Sequence, residues 1–293
     1  MVMKKGFWII LCMFFIPLVT FAGNMKLHYD RPAEYFEEAL VIGNGTMGAT
    51  LYGGVKKDKI SFNDITLWTG EPESENSSPD AFNVIPEIRA LLDNEDYEGA
   101  DKAQYKVQGH YSENYQPLGT LTIEYLDDTA GISDYHRWLD IGNATARTQY
   151  LKDGKLFTSD YFASAPDSVI VIRLKSENKE GIHALLSFDS PLPHSSQVAD
   201  NEISVEGYAA YHSFPVYYKA EDKHRYDPER GIHFKTLVRV LSVDGSVKNR
   251  YSDSRIEIDG STEVLILIAN VTSFNGFRSE EHTSELQSRQ VIS

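Results

Sequence analysis

Cysteine is almost missing from this chain. The single one, Cys12, lies inside an apolar N-terminal run, so residues 23 onward carry no thiol. That excludes disulfides and thiol chemistry and leaves stability to an apolar core. Positive charge is scarce as well. The formal net charge is −15 for the whole chain and −16 for residues 23–277. A body this acidic argues against binding nucleic acid or an anionic membrane surface. Histidines show no i, i+4 pair and no closer pairing, so no zinc site is expected, and no cofactor is assigned. Gly-x-Ser-x-Gly does not occur, which removes the nucleophile elbow of serine hydrolases.

The two ends read differently from the body. Met1–Lys5 is a basic start, Gly6–Phe21 is apolar, and Thr20-Phe21-Ala22 supplies small residues of the kind a signal peptidase reads. Residues 1–22 are therefore expected to be a signal peptide and the protein to be exported, periplasmic or extracellular. The run is shorter than the ~20 residues of a spanning helix and holds Pro17, so no membrane anchor is expected in the mature chain. At the other end, Arg278-Ser279-Glu280-Glu281-His282-Thr283-Ser284-Glu285-Leu286-Gln287-Ser288 resembles a translated short-read sequencing adapter, and Arg289–Ser293 stays in phase with it. Residues 278–293 are expected to be an artefactual, disordered tail, with the natural reading frame interrupted after Phe277.

What the body does contain is turns and strands. Gly43-Asn44-Gly45-Thr46-Met47-Gly48 spells G-x-G-x-x-G. A dinucleotide site needs a helix after that motif, and here β-prone Ala49–Val55 follows, so the glycines read as tight β-turns. Leu118–Leu126 alternates apolar and polar, as a half-buried strand does. Gly231–Val243 alternates too, with His233, Lys235 and Arg239 opposite Ile232, Phe234, Val238 and Val240. Val169–Leu174 and Val264–Ala269 are continuous apolar runs, predicting strands buried on both faces. Asp153-Gly154 between Ala146–Leu151 and Leu156–Tyr161 predicts a hairpin, and Asp244-Gly245 and Asp259-Gly260 predict further turns. One helical island interrupts. Pro86 opens a helix with Ile85, Ile88, Leu91 and Leu92 on one face, and Tyr97–Val107 forms a second after a break at Asn94-Glu95-Asp96. The fold class is mainly β, a large two-sheet β-sandwich with a short helical insertion, as one domain over 23–277.

Several motifs occur in one order: Leu27-His28-Tyr29-Asp30-Arg31-Pro32-Ala33, Glu37–Ala49, Asn63-Asp64-Ile65-Thr66-Leu67-Trp68-Thr69-Gly70, Tyr115-Gln116-Pro117-Leu118-Gly119, Phe162–Asp167 and Thr272-Ser273-Phe274. Together they resemble the N-terminal domain of glycoside hydrolase family 95, the α-L-fucosidases and related α-L-galactosidases, over about residues 27–277. Val41 stands where the family has proline and Phe36 where it has tryptophan, which touches local shape only. The resemblance implies a super-sandwich followed by an (α/α)6 barrel that holds the catalytic residues. The chain is then expected to be the inactive N-terminal part of an exported, inverting fucosidase-like hydrolase acting on fucosylated glycans. Its partners would be the missing C-terminal barrel of the same polypeptide and the glycan substrate. The alternative is a non-catalytic carbohydrate-binding or surface-adhesion β-sandwich.

Candidate chemistry is thin. Glycoside cleavage needs an acid and a base or nucleophile flanking the bond. Glu37 and Glu38 point oppositely if on a strand and read as solvent-facing charge; Asp64 reads as a turn carboxylate accepting backbone N–H groups before Trp68. Trp68 either stacks on a sugar or is buried between the sheets, the second being favoured. His110-Tyr111 and Tyr211-His212 are loop residues able to contact a glycan. No catalytic residue is assigned. Asn44, Gly45, Asp64 and Trp68 are the substrate-rim or barrel-docking candidates, with both turns expected on one face.

Overall fold

A computed structural model describes residues 25–71, 80–109 and 111–276. The segment expected to be a signal peptide, the adapter-like tail and His110 lie outside the described residues.

Two antiparallel sheets account for most of the fold. In spatial order the nine-stranded sheet runs β1 (Lys26–Tyr29), β6 (Ile132–Asp140), β7 (Thr145–Lys152), β8 (Lys155–Ser164), β9 (Val169–Ser176), β18 (Glu263–Thr272), β15 (His233–Ser242), β12 (Glu202–Tyr208) and β11 (His194–Ala199). The seven-stranded sheet runs β16 (Ser246–Arg250), β17 (Arg255–Ser261), β10 (Ile182–Asp189), β5 (Gly119–Tyr125), β4 (Lys57–Asp64), β3 (Met47–Leu51) and β2 (Leu40–Gly43). A short ribbon pairs β13 (His212–Ser213) with β14 (His224–Arg225). One apolar core joins the sheets. Ile60, Phe62, Leu121, Ile123, Leu186 and Ile258 enter from one side, and Ile170, Ile172, Val205, Phe234, Val238 and Ile266 from the other. Each such side chain contributes about 1.5–3 kcal/mol by leaving water.

The alternating runs fold as their period demands. On β5 every second residue is buried, and β15 buries Phe234, Thr236, Val238 and Val240. The Asp153-Gly154 hairpin joins β7 to β8 in register Lys152↔Lys155. Gly43–Gly48 closes the β2–β3 hairpin, with Gly43 opposite Gly48 and a strand rather than a helix following.

Three expectations change. On β9, Val169–Ile172 is buried on both faces, but β18 leaves Leu265 and Leu267 half-buried on its outer face. Asp259-Gly260 is not a turn: Ile182 pairs with Ser261 and His183 with Asp259, so Gly260 is an extra residue that bulges β17. Glu37 and Glu38 keep their expected role as surface charge, in a 3₁₀ turn, Phe36–Glu38, where Glu38 bonds Arg31 and the Glu34 N–H. Pro86 lies inside α1 (Ala81–Asp93) rather than opening it, five residues past its start. No residue of α1 is fully buried: its half-buried stripe is Ala81, Val84, Ile88 and Leu91, while Ile85 and Leu92 are exposed. The second helix, α2 (Tyr97–Gln104), starts as expected, with the Asp96 carboxylate accepting the Gly99 N–H at 2.9 Å.

Two buried charges tie the layers together. Asp58 accepts the Gly54 N–H at 2.9 Å and, from the facing sheet, the Tyr161 hydroxyl at 2.8 Å. Its burial pushes its pKa up to about 6 against these donors. Arg137, also buried, donates to the Arg31 carbonyl at 2.8 Å and the Glu38 carbonyl at 2.9 Å under the Tyr29 ring. It thereby pins residues 29–38 onto the sandwich.

Candidate functional site

The expected turns do meet at one end of the sandwich. β4 runs beside β3 in register Met47↔Asp64, and the Ile65 N–H donates to the Thr46 carbonyl at 2.9 Å. The Gly43–Gly48 hairpin therefore abuts the turn that carries Trp68.

Each candidate has a definite local duty there. The Asn44 carbonyl oxygen accepts the Thr46 and Met47 N–H groups at 3.0 and 2.8 Å, and its amide donates to the Ser164 carbonyl at 3.0 Å. It closes the hairpin and ties it to β8. Gly45 has φ +91°, yet nothing lies within 4 Å of where a Cβ would stand, so backbone conformation alone requires it. Asp64 is buried; one oxygen accepts the Thr66 N–H at 2.9 Å and the Thr66 hydroxyl at 2.6 Å, the other the Asn270 amide at 2.8 Å. Asn270 in turn accepts from Thr236. Asp64 is thus a cross-sheet strut at the base of the turn.

Trp68 is not between the sheets. It is 43 % exposed, its indole N–H donates to the Ile65 carbonyl at 2.9 Å, and its ring lies 5.3 Å from that of Tyr115. The turn is tight enough that the indole finds its acceptor three residues back, which holds the ring on the surface. Partial burial and the Asp64 carboxylate raise the Tyr115 pKa. Gly70 follows with φ +105°, and a Cβ there would meet Glu113 Cγ at 2.7 Å.

That glycine brings three chain segments together. Thr69 and Gly70 donate to the Asn114 and Ala210 carbonyls. Glu113 accepts the Thr69 hydroxyl with one oxygen and bonds His212 Nδ1 at 3.0 Å with the other. Asn114 donates to Ser213 Oγ at 2.8 Å, and Ser213 bonds His224 Nδ1 at 2.8 Å. Beside this network opens a recess of about 440 Å³, lined among others by Glu71, Tyr111, Tyr211, His212, Arg225 and Arg230. Tyr111 and the Tyr211-His212 pair, singled out in sequence as loop contacts, share its wall. Glu113, Phe214, Arg225 and Arg230 were not singled out. The signal available for them was the aromatic density of residues 211–226. No group of His, Cys, Asp and Glu able to hold a metal occurs among the described residues.

Comparison with known proteins gives the chain a family. Residues 27–276 match the family described as glycosyl hydrolase family 65, N-terminal domain. The chain is 28% identical over 259 residues to alpha-L-fucosidase 2 of Arabidopsis thaliana, covering 86% of this chain and 31% of that one. It is 27% identical over 293 residues to a probable alpha-fucosidase A of Aspergillus niger, covering 94% and 33%. Among solved structures, a putative kojibiose phosphorylase from human microbiome overlaps with a TM-score of 0.45 at 9% identity, over 87% of this chain and 33% of the other. This chain thus spans about a third of the length of the curated relatives it matches. The matching family carries the number 65 rather than 95, while the fucosidase relatives agree with the resemblance read from sequence. The chain belongs to the N-terminal domain family of glycosyl hydrolase family 65, as a member similar to the fucosidases.

Proposed function

We propose that the chain is the N-terminal domain of an exported α-L-fucosidase-like hydrolase acting on fucosylated glycans, and that it positions a catalytic barrel rather than performing the chemistry. The observation that carries this reading is a family match through the whole described sandwich together with fucosidase relatives about three times as long. Export rests on the basic start and apolar run of residues 1–22.

The local chemistry supports a positioning role. Glycoside hydrolysis needs one carboxyl to protonate the leaving oxygen and another to act across the ring. At this end Asp64, Glu71 and Glu113 are each engaged by protein partners: Thr66 and Asn270, Arg230, and Thr69 and His212. Exposed apolar groups supply a docking surface instead. Trp68 and Tyr115 stand at the turn end, and the helical hairpin exposes Phe82, Tyr97 and Tyr105. The Gly43–Gly48 and Trp68-Thr69-Gly70 turns would sit against the barrel, placing Asn44 and Trp68 near the rim of its sugar pocket.

The test compares two polypeptides on an aryl α-L-fucoside: this chain, and a longer polypeptide in which the proposed barrel follows it. Release of fucose by the longer polypeptide alone supports the reading. Turnover by this chain, abolished by one carboxylate substitution within it, overturns it. If neither polypeptide turns over but both retain glycans, the carbohydrate-binding alternative takes its place.

A further inference from the structure

We propose that the recess beside the Trp68 turn is a binding site for an uncharged sugar residue of a glycan, separate from the site of bond cleavage. The proposal rests on the reading of the chain as part of a glycan-acting protein and gives it a contact of its own.

Shape comes first. The recess measures about 440 Å³, within the roughly 300–1,000 Å³ of small-ligand clefts. Its apolar walls are rings. Tyr111 comes from one segment and Tyr211 and Phe214 from another that meets it only in the fold, and Tyr218 stacks on Phe214 at 4.8 Å and 15° and lies 5.4 Å from the Tyr111 ring. A ring face offers negative charge density over an apolar surface, which suits the C–H face of a pyranose.

The polar groups are few and held in place. Glu71 clamps the Arg230 guanidinium, which stacks on Tyr211 with its central carbon 3.6 Å from the ring centroid. Glu113 holds His212 through Nδ1, leaving Nε2 as the ring's other polar atom, and Phe214 packs edge-on against that imidazole at 4.5 Å. Thr69 and Asn114 fix Glu113 and Ser213 from behind. Side chains locked by a supporting set of hydrogen bonds are the condition for a site that discriminates.

Charge then selects the ligand class. Within a chain of net charge −15, the recess is lined by two guanidiniums, Arg225 and Arg230, and one carboxylate, Glu71, which is spent on Arg230, while Glu113 stands behind the wall against His212. A set rich in donors and acceptors suits hydroxyl groups. A cation would face both guanidiniums, and Glu71 already neutralises Arg230, which leaves hydrogen bonding rather than charge to hold the ligand.

The test titrates the purified full chain with lactose and with methyl α-L-fucoside, followed by calorimetry and ligand-observed NMR. Saturable millimolar binding of at least one probe is expected, weakened at least tenfold by Tyr211→Ala and at least threefold by the rim variant Arg225→Ala. His183→Ala, at the opposite end of the sandwich, should leave it unchanged. Melting temperatures confirm that each variant folds; if Tyr211→Ala does not, Arg225→Ala decides. Absence of saturable binding by the parent chain overturns the proposal. So does binding that neither variant alters, or tighter binding of glucuronate than of both neutral probes. Fucose release by the longer polypeptide is a separate readout, so either idea can fail without the other.

Discussion

Asp58 should make the stability of this domain fall as pH rises from about 4 to 7. Its carboxyl is fully buried between the sheets, and its pKa is raised from 3.8 to about 6, with loss of solvation the largest cause. The N–H of Gly54, the hydroxyl of Tyr161, and the backbone at Gly53 and Lys59 act in the opposite direction. A raised carboxyl pKa means that the folded state favours the neutral acid more than the unfolded chain does. Its stabilising contribution is therefore complete below pH 3.8 and is lost as pH rises through about 6. At roughly 1.36 kcal/mol per pKa unit the change amounts to about 3 kcal/mol. Asp58→Asn removes the titration and keeps the shape. The amide oxygen can face Gly54, and the Tyr161 hydroxyl can turn to accept from the amide nitrogen. Urea unfolding of parent and variant at intervals from pH 4 to 8 gives the difference directly. Asp128, Asp140, Asp244 and Asp259, whose pKa values are lowered by their hydrogen-bond partners, gain stability with pH but cancel in that difference. The variant is expected to gain about 3 kcal/mol on the parent between pH 4 and 7. Parallel curves would refute the reasoning and show that the four donors fully offset burial.

Other perturbations follow from single contacts. Arg137→Ala should cost on the order of 3 kcal/mol in urea unfolding, because it strips the Arg31 and Glu38 carbonyls of a buried charged donor; a loss under 1 kcal/mol would contradict that. Gly45→Ala should cost about 1–2 kcal/mol through backbone strain alone, since no atom crowds the site, and calorimetric melting will read it. Replacing Phe82 and Leu92 together by Gln should reduce hydrophobic-dye binding while shifting stability by only about 0.5 kcal/mol per site, both side chains being exposed. An unchanged dye signal would place the sticky surface elsewhere.

Much of the sandwich could be read from local pattern, because a strand with one face in the core states its period openly. β5, β15 and the β7–β8 hairpin show this. The misjudged features depended on neighbours that the sequence does not display. Pro86 lies in the interior of an exposed helix whose N-cap residue, Asp80, makes no side-chain capping bond. Trp68 remained outside because its turn gave the indole a local acceptor. Asp58 was readable in principle: Asp58, Ile60, Phe62 and Asp64 share one parity on β4, which points both carboxylates inward. The recess was legible only in parts, as Tyr111 and Tyr211-His212. Its assembly depends on Gly70 and Glu113 drawing together segments about 40 and 100 residues apart, and no local period encodes that.

Whether this domain positions catalysis or performs it can be decided by kcat in a longer polypeptide that joins it to the proposed barrel, measured per folded molecule on an aryl α-L-fucoside. The substitutions are Asp64→Asn, Glu71→Gln and Glu113→Gln, the carboxylates gathered at the turn end. A positioning role predicts that kcat stays within about threefold for each, with any larger effect confined to KM or to stability. A general acid or base among them would instead lower kcat by roughly 10²–10⁴-fold, and a loss of that size in any one variant contradicts the account.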